Sequence, residues 1–411
     1  MIAVPQDRPG LPVILAGLCT TQIIAWGILY YAFPVLSARI AEDTGWSASS
    51  ITIAYSAGLV VSALLGIPVG KILDRRGPRL VMTIGSVLGV IGLLNIAWAP
   101  NYWMFLFGWL LAGAAMAGNL YPPAFAAAIR WYGHRKVFAL TMITLIGGLA
   151  ATVFAPVTEA LADALDWRGV YVVLAAVLGA VSIPVHAIVL RRRWPAEVRT
   201  TGAEQHDDAA SDAAYARAVM RSPAYILMTI GLTLGGVAMF AAVINLVPML
   251  IDRGISSTLA AWILALNGLG QVVGRLFYLM VERRLSVMAK HMWVYGLLAL
   301  TTAAFAADVT NIAWLILIAM TAGAGRGIST LLKATAVTDR WGQRAYGRLS
   351  GVFNAPVMFG IAIAPALGAW LAELTGSWEA MYLVLTGFGV LAVLLLSFSL
   401  PGQRPSAPQP Q

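Results

Sequence analysis

The chain has 411 residues, of which 60% are hydrophobic and only 11% charged, with a mean hydropathy of +0.80. A soluble domain carries roughly 45–50% apolar and about 25% charged residues, so this composition excludes an ordinary water-soluble fold and makes the bilayer the natural solvent. The net charge of +9 does not imply a nucleic-acid partner, because the basic residues fall in short clusters between apolar runs.

A membrane helix needs about 20 predominantly apolar residues. Such runs occur near 11–40, 48–72, 80–98, 102–130, 136–165, 168–190, 223–251, 257–282, 288–307, 311–338, 345–374 and 377–400. The first is too long for a signal-peptide core, so no cleaved leader is expected. Cys19 is the only cysteine and the four histidines share no ligand spacing, so disulfides, a metal site and a cofactor are not expected. Arg191-Arg192-Arg193 and the acidic stretch Glu204-Gln205-His206-Asp207-Asp208 mark the one long polar segment. The chain therefore reads as an all-α polytopic membrane protein. A six-helix bundle (1–190) is joined by a cytoplasmic linker (191–222) to a second bundle (223–400) and a tail (401–411).

Loop charge sets the orientation. With the N-terminus inside, 21 of the 27 Lys and Arg fall in inner segments, and only Arg39, Arg168 and Arg253 in outer ones. The positive-inside rule then places both termini in the cytoplasm, in the cell inner membrane. Trp98, Trp103, Trp167, Trp314 and Trp378 stand at span ends and are expected as interfacial anchors.

The halves repeat. Arg135, Phe138, Ala155-Pro156, Asp166-Trp167 and Tyr171 are echoed by Arg344, Tyr346, Ala364-Pro365, Ser377-Trp378 and Tyr382. Internal duplication with a site between the halves is the architecture of alternating-access transporters.

The remaining three cations, Arg275, Arg326 and Lys333, lie inside apolar runs with no carboxylate at comparable depth. Charge at membrane depth is costly and marks a pathway or site, so the missing partner is expected to be a bound anion. Arg275 lies two turns, about 10 Å of helix, inside Glu282, and its planar fork suits a carboxylate. Arg326 is flanked by Gly323, Gly325 and Gly327, which permit close approach. Lys333 is two turns further along the same face and reads as an inner-gate or snorkelling charge. Neutral candidates for a cavity are Tyr30, Tyr31, Asn119, Tyr121, Asn245, Asn267, Gln271 and Asn354, with Trp26, Phe33, Phe240, Phe353 and Phe359 as apolar walls. For each, packing within the bundle is the competing role.

The loop Gly70-Lys71-Ile72-Leu73-Asp74-Arg75-Arg76-Gly77-Pro78-Arg79 resembles the signature between the second and third helices of the major facilitator superfamily. That resemblance implies a twelve-helix carrier fold and a latch role for Gly70, Asp74, Arg75 and Gly77, with Glu282 at the corresponding place in the second half. The motifs Tyr30-Tyr31-Ala32-Phe33-Pro34, Asp43-Thr44-Gly45-Trp46-Ser47, Gly118-Asn119-Leu120-Tyr121-Pro122, Trp131-Tyr132-Gly133-His134-Arg135-Lys136 and Asp166-Trp167-Arg168-Gly169 are similar to the monocarboxylate and oxalate/formate branch. There the arginine matched by Arg275 binds the substrate carboxylate. The chain departs from that pattern in having Tyr31 where animal carriers place a lysine and Gln271 where they place an aspartate. Residues 349–372 contain no second cation.

The expected function is secondary transport of a small organic anion, most simply a monocarboxylate, by a monomer embedded in membrane lipid. Coupling would be proton symport or exchange for a counter-anion. The competing expectations are an exporter of drugs or other amphipathic toxicants, and a non-transporting sensor with a carrier fold. No nucleophile–base grouping or phosphate loop suggests an enzyme, and Gly323-x-Gly325-x-Gly327 lies in an apolar run, not after a strand.

Overall fold

A computed structural model describes residues 10–194, 214–281, 285–307, 310–342 and 346–399. Among them every regular element is helical. Twelve long segments follow in order: α1 (Leu11–Thr44), α2 (Ala48–Arg76), α3 (Pro78–Ala97), α4 (Tyr102–Tyr132), α5 (Phe138–Ala164), α6 (Trp167–Val189), α7 (Pro223–Ile244), α8 (Ser257–Val281), α9 (Val287–Ala306), α10 (Ile312–Thr335), α11 (Tyr346–Thr375) and α12 (Trp378–Ser397). Eleven are long and apolar enough to cross a membrane. The exception, α9, carries Lys290 and His291 in its first turns but is 20 residues long and packs against α10 and α12 within the bundle.

Helix starts follow local chemistry. A helix leaves its first backbone N–H groups without partners, and Ser47, Asn101, Asp166, Ser222, Ser286, Asn311 and Ser377 each accept from an N–H in the following turn. Two of these caps test the internal repeat. Asp166 starts α6 and Ser377 starts α12, and the matched Tyr171 and Tyr382 are both fully buried.

Because successive helices run in opposite directions, the loops near 44–48, 164–167 and 375–378 share one end of the bundle, termed here the far end. Among the described residues, three hydrogen bonds join the halves toward that end. Ser49 N–H donates to Glu373 at 2.7 Å, Ala366 N–H to Ser56 Oγ at 3.0 Å, and Thr152 Oγ1 to the Ala265 carbonyl at 2.9 Å. The apolar cores also cross the boundary: Val243 and Ala362 join the core of the first half, while Val35 and Ala155 join that of the second.

Several expectations change. Trp98, Trp103 and Trp314 are exposed, as anchors should be, but Trp167 is buried and donates to Asp43 at 2.9 Å. Its position after the Asp166 cap turns it inward, so it is a packing residue. Residues 214–220 of the expected linker are helical and press Ala216 and Val219 into the second half's core, with Tyr215 donating to the Trp341 carbonyl. At Gly70, to which the resemblance gives a latch role, a Cβ would meet nothing within 4 Å. Gly77 is the position that requires glycine, with φ +79° at the turn between α2 and α3.

Candidate functional site

The centre of the molecule is shaped by irregularities in three helices. Pro34 has no N–H to offer the Tyr30 carbonyl four residues earlier. The backbone widens into a π-turn over Gly27–Tyr31, and the Tyr55 hydroxyl donates to the freed carbonyl at 3.3 Å. Such turns recur at functional sites because they re-aim side chains; here they bring Tyr30 and Tyr31 to the boundary between the halves. In α4, Pro122 and Pro123 have no N–H to offer the Gly118 and Asn119 carbonyls, so the helix breaks at an extended Leu120 and restarts at Tyr121. In α10, a Cβ at Gly323 or Gly327 would collide with the carbonyl of Asn267 or Gln271, so this helix lies backbone to backbone on α8.

Arg326 projects from that close crossing. It is 4% exposed and donates through Nη2 to the Tyr31 hydroxyl in the opposite half. Its guanidinium carbon stands 5.5 Å from the Tyr31 ring centre and 5.7 Å from that of Phe240. Its Nη1 is buried with no hydrogen-bond partner. Behind it, Met239, Leu298, Thr301, Thr302 and Phe305 help line a cavity of about 20 Å³, room for a single water.

Arg275 is also buried, but two of its nitrogens donate to backbone carbonyls. Nε donates to the Gly327 carbonyl at 3.3 Å and Nη1 to the Thr144 carbonyl of α5 at 2.7 Å, across the halves. The Tyr121 hydroxyl is a further hydrogen-bonding neighbour. The arginine expected to lead the site is therefore partly spent on backbone, and Arg326 is better placed to meet a ligand.

The rings around the two cations form one connected set. Trp26 lies 5.3 Å from Tyr30 and 4.9 Å from Tyr121, Tyr30 lies 5.1 Å from Tyr31 and 6.3 Å from Phe240, and Tyr121 stacks on Phe125 at 5.0 Å. Trp26 Nε1 and Gln271 Nε2 are buried without partners, like Arg326 Nη1, and the buried Tyr30 hydroxyl neighbours that of Tyr55. An unmet buried polar group costs about 1–3 kcal/mol. Three unmet donors, with no acid among the described residues beside them, suit an acceptor-rich, negatively charged ligand.

The other candidates separate. Asn119 is buried inside the first half. Its carbonyl accepts from Gln22 at 2.6 Å and its Oδ1 from Ser86 at 3.2 Å, and Ser86 also meets His186 Nδ1 at 2.9 Å. Asn354 bonds to Ser350 within its own helix, Asn245 to the Ala241 and Pro365 carbonyls, and Asn267 to the Ala319 carbonyl. Phe33 and Phe353 are sealed in cores and Phe359 is exposed. Lys333 is half-buried on the same helix as Arg326, nearer the end opposite the far end. Arg75 is exposed; Glu282 and the Asp74 side chain lie outside the described residues, so the latch they were expected to form has no geometry here. Arg340, outside the spans, donates to the Ser399 carbonyl and Oγ, and burial pushes its guanidinium down to about 10.

Three features were not foreseen: the Thr144 and Gly327 carbonyls that hold Arg275, the Tyr55 bond, and the buried Gln22–Asn119–Ser86–His186 chain. Only the π-turn had a local signal, in Pro34.

A site at the boundary of two similar helical halves, built from helix breaks and unpaired cations, directs comparison to known carriers. The sequence profile of the Major Facilitator Superfamily matches residues 18–285 and 227–411. The chain belongs to the Major Facilitator Superfamily. It is similar to Monocarboxylate transporter 11 of Homo sapiens, with 26% identity over 98% of this chain and 85% of that protein. Monocarboxylate transporter 13 of Rattus norvegicus is 24% identical over 98% of this chain and 93% of its own length. Among solved structures, a bacterial homolog of the human lysosomal transporter Spinster, inward-facing and unoccupied, superposes with a TM-score of 0.76 at 14% identity. That match covers 97% of this chain and 98% of the other, and shows the fold. This superfamily member is thus a multi-pass membrane transporter that resembles the monocarboxylate branch.

Proposed function

We propose that the protein carries a small organic anion, a monocarboxylate, across the cytoplasmic membrane by alternating access. One observation carries the reading: Arg326 sits at the boundary of the halves with a buried, unpartnered Nη1 and no carboxylate beside it. A carboxylate completes that guanidinium by a charge-assisted hydrogen bond. Arg275, fixed between α5 and α10, adds positive potential and braces the halves. Gln271 and Tyr30 supply further hydrogen bonds. The names of the similar monocarboxylate transporters support the same substrate class.

Residues 1–190 and 223–400 act as the two rocking bodies, with both termini cytoplasmic and Lys333 on the inner path. In this orientation the far end faces outward, and its three cross-half bonds hold that face closed. Alternation breaks them and opens the site outward. Each chain holds a complete site, so a monomer suffices.

Exchange is the coupling mode that the geometry supports. No carboxylate among the described residues lies in the site to bring in a proton, and the halves are tied together through Arg326 and Tyr31. An anion that engages Arg326 displaces that contact and frees the halves to move, so an unloaded carrier returns slowly. Proteoliposomes test this. Loaded carboxylate should leave at least tenfold faster into buffer containing the same anion than into anion-free buffer. Equal rates in both buffers, with acceleration by a proton gradient, would establish symport instead. Uptake that persists unchanged in Arg326→Gln would remove the anion reading altogether.

A further inference from the structure

The aromatic residues fall into two groups of different character, joined where Tyr30 meets Tyr55 edge-on at 5.8 Å. In the first, inside the N-terminal half, Phe33 stacks on Tyr55 at 4.2 Å and Trp109 meets both edge-on. Phe33, Tyr55, Trp109, Phe105 and Tyr171 are all fully buried. That cluster is a closed core, with no face left for a ligand.

The second cluster, at the boundary of the halves, is not sealed. Trp26 and Phe240 are only half-buried although each touches buried Tyr30. The pairs here are tilted at 60°, 43° and 83° (Trp26–Tyr30, Trp26–Tyr121, Tyr30–Phe240). Rings set at such angles form a corner, which accepts another ring edge-to-face or offset on either wall. The corner adjoins the cation, since Phe240 lies 5.7 Å from the Arg326 guanidinium carbon. Beyond it, Trp26 Nε1 is buried without a partner and the buried Tyr30 hydroxyl neighbours that of Tyr55.

From these observations we infer that the transported anion bears an aromatic ring beside its carboxylate, as in an arylcarboxylate or arylalkyl carboxylate. This rests on the anion reading above and narrows it. The carboxylate binds Arg326, and the ring fills the corner formed by Phe240, Tyr30, Trp26 and Tyr121. A ring substituent with an acceptor oxygen meets the Tyr30 hydroxyl and Trp26 Nε1. A two- or three-carbon acid also engages Arg326. It stops short of the rings, however, and leaves their faces and Trp26 Nε1 without a complement. Pockets of this composition draw binding from apolar and aromatic walls and orientation from a few placed polar groups.

The test measures competition for benzoate uptake in proteoliposomes of the full chain, with phenylacetate, propionate, lactate and neutral benzyl alcohol as competitors. Phenylacetate and benzoate should compete at least tenfold better than propionate or lactate. Trp26→Leu and Phe240→Leu should each reduce that ratio below threefold, whereas Phe33→Leu, in the sealed cluster, should leave it at the wild-type value. Reading a ratio keeps the test valid when a variant folds in lower yield. If propionate competes as well as benzoate, or if neither Trp26→Leu nor Phe240→Leu moves the ratio, the aromatic assignment falls and the anion reading stands. If benzyl alcohol competes as well as benzoate and Arg326→Lys changes neither, the anion reading falls and takes this inference with it.

Discussion

Two groups of cations within this chain obey different rules. Arg39, Arg168 and Arg253, at the far end, each meet a carboxylate. Arg39 pairs with Glu159 at 2.7 Å and Asp163 at 3.1 Å, Arg168 with Asp43, and Arg253 with Glu379 at 3.2 Å. Arg275 and Arg326, nearer the middle, meet none: one is held by carbonyls and the other by a phenol. The desolvation cost of a buried charge is several kcal/mol per ion and must be offset by close partners. At the far end the chain supplies the compensating charge itself, which makes those pairs structural. In the middle the charge compensation is incomplete, and the proposal assigns the remainder to substrate.

This contrast can be broken by substitution. The largest effect is expected at the far end. Glu159 is 2% exposed, so Arg39→Gln strands a buried carboxylate at a cost of about 3 kcal/mol. Thermal unfolding in detergent should show a clear drop in Tm, and adding Glu159→Gln should recover most of it. If the double variant is no more stable than the single, the pair is not what holds α1 to α5.

Arg326→Gln should do the reverse. Uptake of the carboxylate should fall at least 100-fold, about 2.8 kcal/mol at 1.4 kcal/mol per tenfold. Its Tm should stay close to wild type, because the lost interaction belongs to the ligand. A large Tm drop with uptake retained in the folded fraction would place Arg326 with the structural group.

Tyr31→Phe sharpens the comparison further. It keeps the ring beside Arg326 and removes only the hydroxyl that accepts from it, which under the proposed function competes with substrate. Apparent affinity should rise about fivefold, near 1 kcal/mol, the usual net worth of one hydrogen bond. Saturation kinetics of uptake would measure this, and weaker binding would mean that the hydroxyl itself contacts the anion. The smallest effect belongs to the exposed pair. Asp43→Asn should cost about 0.5 kcal/mol, as surface ion pairs do, and a chemical-denaturation shift well beyond that would show the Trp167 bond to be the stronger part.

Local chemistry made much of this legible. Apolar runs fall on the observed helices because transfer into lipid depends on composition over about 20 residues. Asp166 and Ser377 cap helices because short polar side chains satisfy the first N–H groups. Gly323 and Gly327 allow close approach, as their spacing suggested. Trp167 misled, since an aromatic at a span end can turn inward once Asp43 offers an acceptor.

The site divides along the same line. That Arg275, Arg326 and Lys333 are embedded, and that no acid accompanies them at that depth, follows from residue order alone, because depth is counted along a single helix. How each guanidinium spends its donors does not. The carbonyls that hold Arg275 are 131 and 52 residues away in the chain, and the hydroxyl that meets Arg326 is 295 residues away. Backbone carbonyls occur at every position and leave no mark in sequence. Only the packing of α8 on α10, and of α5 against both α8 and the π-turn of α1, selects which of them reach a cation, and so leaves Arg326 with an unmet donor.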